Sequence, residues 1–274
     1  MKCNENDIDS PYIYGRENCK EKTVVGMFIY DYPVYDLDVL WRCNLHIHTA
    51  FSRCAKPEMT VVNILRTAYE AGLSTIALTD HFNYADYPAI SNISVLREQV
   101  RHHNPGIRVL YGAELSACGQ GVFLDSLDVN RALDYRLYSC NHYHLDFWEH
   151  PALRTPRGYA LHALNVLDAL IDSGRADCIA HPFIGRFVRC FEDRTLVTQA
   201  ITDAELGDIL SYGTSHGVAW EVNLGAMLAD PAFARRYWNL GRETGAFFHF
   251  GSDAHRLCEI APMDGIEKLK RLLA

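Results

Sequence analysis

Histidine and carboxylate side chains carry most of the chemistry this chain can do. The stretch Asn44-Leu45-His46-Ile47-His48-Thr49 sets two imidazoles two residues apart in an apolar run. Such a run reads as a strand, and side chains at i and i+2 of a strand share one face. His46 and His48 therefore project together. Imidazole is costly to bury unless its nitrogens find partners, and it is the commonest metal ligand. Further donors follow: His81, Glu114, His142 with His144 two residues on, His181, and Asp253 with His255. A single histidine of this kind is most often a hydrogen-bonded structural residue. A set recurring at equivalent structural positions is a ligand inventory suited to Zn, Mn or Fe.

The elements that must position these residues alternate. Short apolar runs at 42–48, 74–79, 108–115, 134–140, 177–180, 218–224 and 247–251 read as strands. Amphipathic segments at 61–71, 91–103, 158–173, 203–216, 231–244 and 263–273 read as helices, several of them closed by glycine at Gly72, Gly174, Gly217 and Gly245. This order predicts α/β architecture with a parallel sheet wrapped by helices, and seven strands suggest a closed or nearly closed barrel. Every donor named above sits at or just past the C-terminal end of a strand, the face on which α/β barrels build active sites. The segment 117–131, with Cys118-Gly119-Gln120-Gly121, has no clear assignment. Residues 1–40 read as an N-terminal extension, with one expected strand at 23–30, and 41–274 as the catalytic domain. No glycine-rich phosphate loop follows the first strand, which counts against dinucleotide or P-loop binding.

Composition limits the alternatives. The chain has 274 residues, 49% of them hydrophobic, enough for a sizeable core. Its formal net charge of −8 and its lack of a basic run disfavour long nucleic acids. The nine cysteines are scattered and odd in number, as expected of reduced thiols in a cytoplasmic protein. Neither a signal peptide nor a membrane-spanning run is expected. His150, His162, His216 and His249 lie away from the strand ends and read as structural.

The blocks His46-Ile-His48-Thr, Leu78-Thr-Asp-His81, Gly112-Ala-Glu114, Ala180-His181-Pro and Gly251-Ser-Asp253-Ala-His255 resemble the signatures of the PHP (polymerase and histidinol phosphatase) superfamily, from about residue 41 to 260. The resemblance implies a distorted (β/α)7 barrel with its active site at the C-terminal face of the parallel strands. It also implies hydrolysis of phosphate esters with two or three divalent metal ions (Zn, Mn or Fe). Carried over, His46, His48, Glu114 and Asp253 hold one metal. Glu114, His142 and His181 hold a second, with His144 as an alternative to His142. His81, His255 and Cys54 hold a third. Cys54 stands where the family often has His or Asp, so it is either a thiolate ligand or a small loop residue. Asn44 replaces the usual Asp and is expected to hydrogen-bond a ligating imidazole.

The expected reaction is attack by a metal-bound hydroxide on the phosphate of a small metabolite, as in a histidinol phosphatase. Asp80 or His255 is the candidate acid for the leaving group. Arg186 and Arg256 are the candidate phosphate contacts, with Arg53 behind them. Glu221 and Asn223 either orient ligands or cap a loop. Two other readings compete: a nuclease or phosphodiesterase on nucleotides or short oligonucleotides, and a metal-binding regulatory domain without catalysis.

Overall fold

The computed structural model describes residues 29–274, so most of the expected strand at 23–30 and of the N-terminal extension lies outside the described residues. Seven strands form the barrel: β1 (Cys43–Ile47), β2 (Thr75–His81), β3 (Arg108–Gly119), β5 (Tyr135–Ser139), β6 (Cys178–Ala180), β7 (Ala219–Asn223) and β8 (Phe248–Gly251). Each pairs in parallel with the next, and β8 pairs with β1 to close the ring. The expected (β/α)7 barrel is therefore the fold observed.

The segment without an assignment resolves simply. β3 continues past Glu114 to Gly119, and the chain reverses at Gln120-Gly121 into the two-residue β4 (Val122–Phe123), which pairs antiparallel with β3 outside the ring. Gly121 takes φ 71, a left-handed value that glycine adopts without strain. The helix α4 (Leu127–Ala132) follows, its first turn closed by the Ser126 hydroxyl accepting from Val129 N–H.

Helices α2 (Val61–Glu70), α3 (Ala89–His103), α5 (Pro156–Ser173), α7 (Asp203–Ser215), α9 (Pro231–Thr244) and α10 (Met263–Leu273) surround the barrel, with α1 (Leu37–Leu40), α6 (Leu196–Gln199) and α8 (Leu224–Ala229) as short additions. Their buried faces meet the outward residues of the strands, among them Ile76, Leu78, Tyr138, Trp220, Val222 and Phe250, in one continuous core. Inside the ring, Leu45, Ala77, Leu110, Tyr135, Leu137, Cys178, Ala180 and Ala219 form a second apolar cluster, against which Ile29, Tyr30 and Phe247 pack. His249 belongs to this end, fully buried, with Nδ1 3.0 Å from the Tyr135 hydroxyl and Nε2 accepting from Ile29 N–H at 3.4 Å. Burial pushes its pKa down to about 3, so the ring is a neutral brace. Among the described residues no helix is long and apolar enough to cross a membrane, and the seven described cysteines are free thiols.

α5 and α7 are tied by Arg157, which donates to both oxygens of Glu205 at 2.6 and 2.7 Å. Glu205 also completes a reciprocal cap with Thr202. The hydrogen bond from Arg157 outweighs desolvation and holds the Glu205 carboxyl at about 2, below its ordinary 4.5. A depressed carboxylate stabilises above its unfolded pKa, and that stabilisation is lost as pH falls through the folded value. Glu205→Gln should therefore cost about 1 kcal/mol at pH 7, because the Arg157 guanidinium is 42% exposed and the pair is partly solvent-screened. The Tm gap to the parent protein should narrow below pH 4.5; a gap that stays constant down to pH 3 would assign the effect to packing.

Candidate metal centre

The C-terminal mouth of the barrel gathers the donors. β1 delivers His46 and, one residue past its end, His48; β2 delivers His81, β3 Glu114, and the segments after β5, β6 and β8 deliver His142, His181, Asp253 and His255. The register of β1 against β2 shifts between Asn44 and Ile47, a bulge of the kind that re-aims side chains beside active sites. His46 Nε2 and His48 Nε2 stand 3.1 Å apart, and His48 Nε2 lies 3.1 Å from Asp253 Oδ1.

Glu114 is the centre of the arrangement. Its Oε1 lies 2.9 Å from His181 Nε2 and 3.5 Å from His142 Nε2. Its Oε2 lies 3.7 Å from His46 Nε2, 3.8 Å from His48 Nε2 and 2.5 Å from His81 Nδ1. One carboxylate thus faces five imidazoles while almost wholly buried. Despite that crowding, Glu114 Oε2 makes no hydrogen bond of acceptable geometry, nor does His81 Nδ1, His142 Nδ1 or His181 Nδ1. Buried polar atoms that converge without pairing are costly, and a cation between them removes the cost. His46–His48–Asp253, His46–Glu114–His181 and His48–His81–His255 each place their donor atoms within 4.8 Å of one another. The donors present fit divalent ions that accept imidazole and carboxylate.

Electrostatics separate His46 from His48. Burial opposes the charged form of both. At His46, Glu221 and Asp253 outweigh burial and raise the pKa well above the usual value. At His48, burial and the charge of His81 together lower it. Glu114 is pushed up by burial, but His81 and His142 outweigh this and hold its carboxyl well below the ordinary range. Burial also opposes protonation of His81, yet the neighbouring Glu114 raises it to about 10.

Other residues orient the donors. The buried Glu221 accepts from His46 Nδ1 at 2.7 Å, which leaves Nε2 as the lone-pair atom facing the cluster. It also accepts from the backbone N–H of His181, so one carboxylate fixes two of the donors. Of the two roles open to Glu221, the structure gives it the orienting one. Asn223 instead caps α8, accepting from Ala226 N–H at 3.0 Å. Glu221→Gln keeps the volume and removes the charge, so metal affinity should fall about 10–100-fold. Metal titration of the variant checks this, and an unchanged affinity would reduce Glu221 to a structural brace.

Asp80 is placed differently from expectation. It is buried and does not reach the cavity; it accepts from Thr49 N–H (2.8 Å), the Thr49 hydroxyl (2.7 Å) and the Ser52 hydroxyl (2.6 Å). Ser52 in turn stands 3.2 Å from His48 Nδ1. Asp80 therefore acts on the site through Ser52, as an anchor for the first loop. Asn44 hydrogen-bonds no imidazole. Its Nδ2 donates to the Ser252 hydroxyl (2.7 Å) and the Ile260 carbonyl (2.8 Å), while its Oδ1 accepts from Ser252 N–H (3.1 Å), tying β1 to the loop that carries Asp253. His181 and Asp253 adopt φ 32 and 57, left-handed values costing about 1–3 kcal/mol each in non-glycine residues.

A cavity of about 480 Å³ opens over the cluster, lined by Phe51, Arg53, Cys54, Tyr84 and Phe187 besides several donors, including His142, His144 and His255. His142 approaches Glu114, whereas His144 stacks on Phe187 with ring centroids 4.5 Å apart. Of the candidate arginines, Arg53 lines the cavity and lies over the Tyr84 ring. Arg186 belongs to the short 3-10 turn Gly185–Phe187, next to a cavity residue. Arg256 is exposed beside Glu259, with Nε 3.9 Å from its carboxylate, and is not part of the cavity lining. Phe51, Tyr84 and Phe187 carried no sequence signal, because isolated loop aromatics have no periodicity.

The family model for the PHP domain matches residues 44–181. Among solved structures, a Listeria monocytogenes protein described as a candidate histidinol phosphatase aligns with a TM-score of 0.56 at 13% identity, over 80% of this chain and 97% of that one. The catalytic domain of a mannanase from Streptomyces sp. SirexAA-E aligns more loosely, with a TM-score of 0.41 at 12% identity over 88% and 76%. No curated protein matches the chain.

Proposed function

We propose, from the premise that this chain belongs to the PHP domain family, that it hydrolyses the phosphate ester of a small metabolite with divalent cations as cofactors. Members of the family are generally metal-dependent hydrolases. The observation that carries the reading is Glu114, a buried carboxylate with one oxygen turned to His142 and His181 and the other to His46, His48 and His81. His46, His48, Glu114 and Asp253 would hold one cation, and Glu114, His142 and His181 a second. Bound there, divalent ions activate water and neutralise phosphate charge.

The chain's own residues do the rest. Glu221 holds His46 in the tautomer that presents Nε2. The net charge of −8 gives no general attraction for phosphate, so Arg53 at the cavity wall supplies local positive charge. A cavity of about 480 Å³ suits a small phosphorylated molecule rather than a polymer. The aromatic wall of Phe51, Tyr84, Tyr87 and Phe187 favours a second reading, in which the ester is that of a nucleotide or short oligonucleotide whose base stacks there.

The test is metal analysis of purified protein with hydrolysis of a generic aryl phosphate, followed by a panel of sugar, amino-alcohol and nucleoside monophosphates and dinucleotides. The expected result is at least one tightly bound transition metal per chain and turnover abolished by chelation. Less than one metal per chain with no hydrolysis would overturn the reading and favour a regulatory domain. Preference for dinucleotides over every monophosphate would favour the second reading.

A further inference from the structure

Beside the carboxylate-anchored donors, the same cavity holds a group of different chemical character. Cys54 Sγ stands 3.1 Å from His255 Nε2, and His255 Nε2 stands 3.4 Å from His81 Nε2. All three residues line the cavity. His255 Nδ1 lies 2.8 Å from the Asp253 backbone carbonyl, which can only accept, so Nδ1 carries the hydrogen. The lone pair of Nε2 is thereby directed toward Cys54 and His81. His81 presents Nδ1 to Glu114 and Nε2 to His255, so its two nitrogens face two different environments. On the Glu114 side the donors are imidazole and carboxylate; on the Cys54 side they are imidazole and sulfur.

We propose that Cys54, His81 and His255 form a sulfur-containing cation site that selects a borderline-soft ion such as Zn²⁺ or Co²⁺ over Mn²⁺ or Mg²⁺, making the centre one of two metal preferences. The inference rests on the proposed function for its neighbouring sites and adds a selectivity to it. Thiolate and imidazole favour Zn²⁺, Co²⁺ and Fe²⁺, while carboxylate-rich sites discriminate less against Mn²⁺. The spacing is suitable as well. Zn–N and Zn–S bonds of about 2.0 and 2.3 Å around a tetrahedral ion put donor atoms roughly 3.3–3.6 Å apart, close to the 3.1 and 3.4 Å observed. Binding exchanges the thiol proton for the metal, and the proton leaves to solvent.

Titrating the metal-free full-length protein with Co²⁺ tests this, because sulfur ligation adds a thiolate-to-cobalt charge-transfer band in the near ultraviolet that nitrogen and oxygen donors lack. The parent protein should show the band on binding one equivalent more than Cys54→Ala, which should lose both the band and that equivalent. Cys54→His should keep the equivalent and lose the band, which guards against misfolding of the alanine variant. The double variant Cys190→Ser/Cys258→Ser should keep both. Zn²⁺ should occupy this site at least about tenfold more tightly than Mn²⁺. A parent protein that binds ions without the band, a band that survives in Cys54→Ala, or equal Zn²⁺ and Mn²⁺ affinity overturns the proposal and leaves the phosphoesterase reading standing. Failure to bind any ion overturns both.

Discussion

Glu114→Gln should lower kcat/KM for an aryl phosphate by about 10³-fold or more, a loss of about 4 kcal/mol of transition-state stabilisation. Glutamine keeps the shape but removes the charge and turns one of the two oxygens into an amide that donates. The buried Oε1 and Oε2 face His142 and His181 on one side and His46, His48 and His81 on the other, so a single substitution disturbs both proposed ion positions at once. His46 and His81 would lose the carboxylate that favours their charged forms. Metal content measured beside the rate separates the causes: both should fall together. A variant that retains its full metal content and more than a tenth of the parent activity would refute the bridging role.

Removing the metal should be the second large effect. Ions present at about 100–1,000 times their Kd stabilise the folded state by about 3–4 kcal/mol per site, about 5–15 °C in Tm for a chain of this size. The increment should grow with pH. In the metal-free protein the neighbouring Glu114 outweighs burial and raises His81 to about 10, above its ordinary 6.5. A raised histidine stabilises fully below its unfolded pKa, and that contribution is lost as pH rises through the folded value. Metal-free protein should therefore weaken between pH 6.5 and 10. Ion binding, which needs the imidazoles deprotonated, strengthens over the same range. Calorimetry of stripped and loaded protein across that window gives the comparison. A gap that shrinks as pH rises would contradict the electrostatics derived for His81.

Much of this was legible in the sequence because the strands are short, apolar and separated by amphipathic helices with caps. Thr60, Gly174 and Gly245 stand where their helices begin or end, and the last two take left-handed φ values. The donors were legible because each lies within or shortly after a recognisable strand. What escaped depends on contacts distant in sequence. Asn223 ends β7 and at the same time caps α8, so strand and helix meet with no turn residues between them to announce the change. Asp80 has the right type and place for an acid, but Thr49 and Ser52, about thirty positions away, hold it out of the cavity. Asn44 looked like a partner for an imidazole, yet its amide is taken by Ser252 and Ile260, more than two hundred positions on. Cavity aromatics such as Phe51 and Tyr84 sit on irregular loops, where no periodicity marks a side chain as facing inward.

The closure of β1 against β8 also sets an order of events in the life of the molecule. His48 and Asp253 approach within 3.1 Å but lie 205 positions apart. At about 5–20 residues per second, ribosomal synthesis separates their emergence by roughly 10–40 s. During that interval the nascent chain exposes His46 and His48 without the carboxylate that completes their group. The His46–His48–Asp253 group is therefore assembled only after the last strand has emerged, and a product released before it would keep the histidine pair without that carboxylate.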